Sequence, residues 1–114
     1  MTFRELNLKD DILSAIEELG YVLPMPVQEK TIPFMLEQTA DLVALAQTGT
    51  GKTAAFGLPI LNMIDTQRKQ VQALVLSPTR ELCIQIANDL KGYSKKRTIY
   101  ARKPKVFWRK FSIS

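Results

Sequence analysis

The chain has 114 residues, room for one small domain at most, and its 46% hydrophobic and 24% charged content is that of a globular protein rather than a fibrous or low-complexity one. It has no histidine and a single cysteine, Cys83, which excludes histidine-based acid–base chemistry, histidine-ligated metal and any internal disulfide. The net charge of +5 divides sharply: residues 1–90 carry seven Lys and Arg against eleven Asp and Glu, a net of −4, whereas residues 91–114 carry nine basic residues and no acid. A break of that size points to a nucleic-acid-binding tail or to a tail of different origin. The charged start Met1-Thr-Phe-Arg-Glu-Leu6 has no signal-peptide apolar region, and no apolar run approaches membrane-spanning length. A reducing cytoplasm is the expected location.

In chain order, Leu8, Ile12, Leu13, Ile16 and Leu19 recur at helical spacing, with Asn7 as candidate N-cap and Asp10 and Asp11 in the first turn. Gly20 is placed to end that helix as a C′ residue. Tyr21-Val-Leu-Pro-Met-Pro26 cannot be regular helix, because the residue before each proline is driven toward extended backbone. Pro26 suits the first position of a second helix through Val27, Ile32, Met35 and Leu36, with a kink expected at Pro33. Asp41–Ala46 reads as a buried strand. A glycine-rich turn follows, then a helix from Lys52 through Leu58 and Leu61 to about Ile64, bent near Pro59. Gln72–Ser77 reads as a second buried strand, and Pro78 opens a helix through Cys83, Ile86 and Leu90. The order α-α-β-α-β-α is the start of a parallel, doubly wound α/β sheet. Cys83 reads as a small packed hydrophobe on that last helix.

The turn is the most specific stretch. Ala46-Gln-Thr-Gly-Thr-Gly-Lys-Thr53 lies between a predicted strand and a predicted helix, the context a phosphate-binding loop requires, and differs from the usual pattern only in opening with Ala. Gly49 and Gly51 lack a Cβ, so the backbone N–H groups of Gln47, Thr48, Gly49, Thr50 and Gly51 can curl around phosphate oxygens. The helix that follows adds unpaired N–H donors and the positive end of its dipole. Lys52 is placed to reach the β- and γ-phosphates of a nucleotide such as ATP, and the Thr53 hydroxyl to ligate Mg2+. These two are the candidate catalytic side chains.

Two further stretches accompany the loop. Gly20-Tyr-Val-Leu-Pro-Met-Pro-Val-Gln28, with Phe3 seventeen residues ahead of Gly20, resembles the Q motif of the DEAD-box RNA helicases. Ala46–Thr53 resembles that family's motif I, and Pro78-Thr-Arg-Glu-Leu82 its motif Ia. In this order and spacing, residues 1–94 are similar to the N-terminal part of the family's first RecA-like domain. The resemblance implies an incomplete RecA-like P-loop NTPase fold, with ATP and Mg2+ as cofactors and RNA as partner. It implies that Gln28 pairs with the adenine edge, for which a side-chain amide supplies adjacent donor and acceptor, and that Phe3 packs on the adenine ring. Tyr21 is a further candidate there. Pro78, Thr79 and Arg80 would grip phosphates of single-stranded RNA without reading sequence. Each role has a plain alternative: Phe3 as an anchor for the terminus, Gln28 as a solvated first-turn residue, Tyr21 as packing, and Thr79 as a helix cap.

The Asp-Glu-Ala-Asp and Ser-Ala-Thr motifs of the family are absent from these residues, as is its second domain. The expectation is therefore nucleotide binding with little or no hydrolysis, by a fold short of several strands. Beyond about Ser94 the basic run 95–114 does not read like the family, and the break suggests a frameshifted or truncated gene with a disordered tail. The opposite expectation is a binding module in which basic residues interleaved with Tyr100, Phe107, Trp108 and Phe111 hold RNA by charge and stacking.

Overall fold

The computed structural model describes residues 1–46 and 51–97. A short 3-10 turn, Phe3–Leu6, precedes four helices: α1 Asp10–Glu18, α2 Pro26–Glu37, α3 Lys52–Met63 and α4 Arg80–Tyr93. The apolar face of α1 and the 3-10 turn pack on α2, α3 and the C-terminal part of α4. Leu6, Ile12, Ile16, Ile32 and Leu58 are fully buried at the centre. Each such side chain removed from water stabilises the fold by about 1.5–3 kcal/mol.

The start of α1 differs from expectation. Asn7 is not its N-cap; it closes the 3-10 turn in the left-handed region, at φ 66°. Lys9 takes the cap position without a capping side chain of its own. Its N–H instead donates to Asn62 Oδ1 of α3 at 2.7 Å, so a residue 53 positions away fixes where α1 begins. Asp10 and Asp11 then complement the helix dipole. At the other end Gly20, at φ 90°, is the C′ residue the sequence indicates. Its N–H donates to the Glu17 carbonyl and that of Tyr21 to the Ile16 carbonyl, both at 3.0 Å, the two bonds of a Schellman motif.

Pro26 occupies the first turn of α2, and α2 and α3 run on through Pro33 and Pro59. The sheet is the main departure. Among the described residues there is no strand: Asp41–Ala46 and Gln72–Ser77 are irregular, with Val43, Leu45, Leu74 and Leu76 at 86, 94, 74 and 70% exposure. A helix closes its hydrogen bonds within itself, whereas a strand needs a neighbour to pair with, and no such pairing forms among the described residues. The disordered tail also needs correction at its start, since residues 95–97 lie against α1. The rest of the run, with Tyr100, Phe107, Trp108 and Phe111, lies outside the described residues.

Candidate nucleotide site

Of the glycine-rich turn, Gln47, Thr48, Gly49 and Thr50 lie outside the described residues, while Gly51, Lys52 and Thr53 are placed. Gly51 is the N-cap of α3 but sits at φ 79°, ψ 30°, not in the extended region usual for a cap. Its carbonyl accepts the first helical hydrogen bond, from Ala55 N–H at 3.1 Å. The N–H groups of Lys52, Thr53 and Ala54 have no intrahelical acceptor, by the geometry of any helix start. Lys52 is exposed and Thr53 half-buried beside them. Backbone donors without an intrahelical acceptor, a cation and a hydroxyl are therefore gathered at one end of α3.

Gln28 connects this end of α3 to α2. It is 2% exposed, and its side-chain amide spans the gap between the elements. Oε1 accepts from Met25 N–H at 2.8 Å, which turns the chain into α2, and Nε2 donates to the Gly51 carbonyl at 3.2 Å. A Cβ on Gly51 would overlap Nε2, so a side chain there would displace the Gln28 amide as well as strain the backbone dihedral. Among the described residues, one amide hydrogen and one oxygen lone pair of Gln28 remain for another partner. The plain reading of Gln28 as a solvated residue is therefore wrong, since burial and two bonds make it a joint.

Phe3 and Tyr21 lie together, Phe3 in the core and Tyr21, half-buried, packed against it. Phe3 is buried and its ring centroid is 6.1 Å from that of Tyr21. The Tyr21 hydroxyl is 2.8 Å from that of Tyr93 on α4, with the rings edge to face at 5.8 Å. Burial, then the bond to Tyr21, pushes the Tyr93 hydroxyl pKa well up. Sequence reasoning missed Tyr93, although Ile86, Leu90 and Tyr93 form a helical stripe that marks it as inward-facing.

Pro78, Thr79 and Arg80 sit at the exposed start of α4. Thr79 Oγ1 accepts from Leu82 N–H at 3.1 Å, so Thr79 caps the helix. Arg80 projects from its first turn. A cavity of 520 Å3 opens between α2, α3 and the segment 38–44, lined by Val27, Met35, Leu42, Ala55 and Phe56 with Lys52 at one side. Thr31 and Gln38 add polar groups to this mainly apolar lining. Among the described residues, no three His, Cys, Asp or Glu side chains cluster as metal ligands, and no helix is long and apolar enough to cross a membrane.

Comparison with known proteins agrees with these motifs. The family model of the DEAD/DEAH box helicases matches residues 25–107. A DEAD-box ATP-dependent RNA helicase, CshA of Bacillus cereus, is 48% identical over 98 residues, covering 86% of this chain and 18% of that protein. CshA of Streptococcus pneumoniae is 49% identical over 102 residues, covering 90% and 19%. The chain thus spans about a fifth of the length of these relatives. Among solved structures, yeast (S. cerevisiae) Dbp5 bound to RNA and ADP BeF3 superposes with a TM-score of 0.83 at 33% identity, covering 86% of this chain and 25% of that one. A DEAD box protein from Methanococcus jannaschii gives 0.80 at 39%, covering 91% and 30%. These neighbours are RecA-like helicase domains.

Proposed function

Because the chain belongs to the DEAD/DEAH box helicase family, we propose that its residues form the nucleotide-binding corner of an ATP-dependent RNA helicase. The bond from Gln28 Nε2 to the Gly51 carbonyl carries this reading, since it joins two stretches 23 residues apart at one helix start. The free N–H groups of Lys52, Thr53 and Ala54 receive phosphate oxygens, and Gln47, Thr48, Gly49 and Thr50 extend that cradle. Lys52 reaches the β- and γ-phosphates. Thr53 Oγ1 would hold Mg2+, which when bound would supply neutralisation of phosphate charge. Gln28 offers its remaining donor and acceptor to adenine. Phe3 and Tyr21, tied to α4 through Tyr93, wall the adenine side.

With the remaining strands of a RecA-like domain beside them, Asp41–Ala46 and Gln72–Ser77 would pair into its parallel sheet, which accounts for their apolar character. At the start of α4, Pro78, Thr79 and Arg80 with the free helix N–H groups hold RNA phosphates. The 114 residues on their own bind nucleotide without turning it over. Phosphoryl transfer depends on charge stabilisation, and the acidic motif that would position the attacking water is not among them. Equilibrium titration with MgATP tests this: wild-type chain should bind, Lys52→Ala should bind at least about tenfold more weakly, and neither should release phosphate above background. Equal binding by wild type and Lys52→Ala would remove the phosphate-loop assignment.

A further inference from the structure

The basic run begins with residues that already have anionic partners. α1 carries four acids and no base, and Asp11, Ser14 and Glu18 lie at i, i+3 and i+7, on one face. Lys95 pairs with Glu18 Oε2, and Lys96 reaches Glu18 Oε1 at 2.9 Å and the Ser14 hydroxyl at 2.7 Å. Arg97 directs Nη1 to both Asp11 oxygens at 3.3 Å and Nη2 to the Ile64 carbonyl at 3.1 Å, at the open C-terminal end of α3. Three consecutive cations thereby tie the end of α4 to α1 and α3.

We propose that this run is an intramolecular clasp in which the acidic face of α1 stands in for a polyanion, so that α1 and a nucleic-acid backbone compete for Lys95, Lys96 and Arg97. The acceptors on α1 are of the type a phosphate offers: charged oxygens at hydrogen-bond distance. The clasp is poised, not locked. Both lysines and Glu18 are more than a third exposed, where screening keeps ion pairs weak. Arg97 is more buried, yet its Nε has no partner among the described residues, so its planar fork is incompletely satisfied where it is. A phosphate could satisfy it fully. In the closed state the first three charges of the run belong to the fold. Opened, they add to whatever RNA surface the chain has, and in this respect alone the inference rests on the proposed function.

The test uses the full chain, a short labelled oligouridylate and salt titration. Asp11→Asn with Glu18→Gln opens the clasp. It should lower the melting temperature, tighten RNA binding several-fold and steepen the salt slope by about 2, at roughly 0.7 per freed cation on a single strand. Adding Lys95→Ala, Lys96→Ala and Arg97→Ala should abolish the gain. Asp10→Asn with Glu17→Gln, the same charge change on the same helix away from the clasp, should give a smaller gain. The proposal is overturned by unchanged RNA binding in the opened variant, by an equal gain in the control, or by an unmoved melting temperature. Should the double variant not fold, Glu18→Gln alone frees only the two exposed lysines and is read the same way. Arg80→Ala separates the two ideas: if it weakens binding while opening the clasp changes nothing, the helicase reading stands and the clasp falls. The reverse pattern leaves the clasp and removes the RNA role of the α4 start.

Discussion

The helices and the two apolar segments between them are similar in side-chain character and opposite in environment. Ile12, Ile32 and Leu58 are at 0% exposure, while Val43 and Leu45 are nearly as exposed as in an open chain. α1 to α4 satisfy their backbones locally and meet across faces three to four residues apart, so packing follows once each helix exists. Asp41–Ala46 and Gln72–Ser77 carry the β-branched and leucine-rich runs of buried strands but no ladder to join. Apolar sequence specifies that a segment should be buried. Whether it is buried depends on the neighbours available.

The contrast can be broken most forcefully from the helical side. Leu58→Ala, at a fully buried position, should cost about 3 kcal/mol, seen as a lower urea midpoint with unchanged slope. A loss below about 1 kcal/mol would mean that the helical core is no better packed than the exposed segments. Gly51→Ala should cost about 2 kcal/mol, because it combines a left-handed φ with overlap on Gln28, and should also lose MgATP binding. Full retention of both would show that Gln28 and Gly51 are not joined in solution. Tyr93→Phe removes one hydroxyl and should cost about 1 kcal/mol, and Tyr21→Phe added to it should cost little more, since both report one bond. Independent, additive losses would argue that the hydroxyls do not meet.

Smaller effects sharpen the picture. Hydrogen bonds from Lys95 and then Lys96 lower the Glu18 pKa from 4.5 to about 2. A depressed carboxylate pKa contributes stability that is complete above 4.5 and is lost as pH falls toward about 2. Glu18→Gln should therefore lower stability modestly near neutrality, where the contribution is complete, and flatten that part of an acid-unfolding curve; an identical acid limb in the variant would contradict the pairing. Smallest of all, Val43→Thr and Leu74→Thr should each change stability by less than about 0.5 kcal/mol. A cost above 1 kcal/mol, by the same urea titration, would show these segments packed after all.

Where the sequence was legible, the cause was local. Pro26 has the φ and the missing N–H that suit a helix's first turn, and Gly20 adopts the positive φ its Schellman bonds require. The Gly-Lys-Thr turn announces its chemistry because three residue types at fixed spacing serve one ligand class. Asn7 misled because a short polar side chain suits both an N-cap and a left-handed turn residue, and only the arrival of Asn62 at Lys9 decides between them. The second helix gave no sign that Gln28 would be buried, because its partner is a carbonyl 23 residues on. The charge break at residue 91 was plain, but α1's complementary face became visible only once α4 placed residues 95–97 beside it. Strand signals in 41–46 and 72–77 were read correctly as apolar and wrongly as a formed sheet, because pairing is a property of two segments.

Amide hydrogen exchange with and without MgATP tests the central assignment most directly. The N–H groups of Lys52, Thr53 and Ala54 have no helical acceptor, so they should exchange quickly in the free chain and slow by at least about tenfold when phosphate oxygens accept from them. Residues 42–45 and 74–76 should exchange quickly in both states. Unchanged exchange at 52–54 under saturating MgATP would contradict the claim that the start of α3, joined to Gln28, is a nucleotide site.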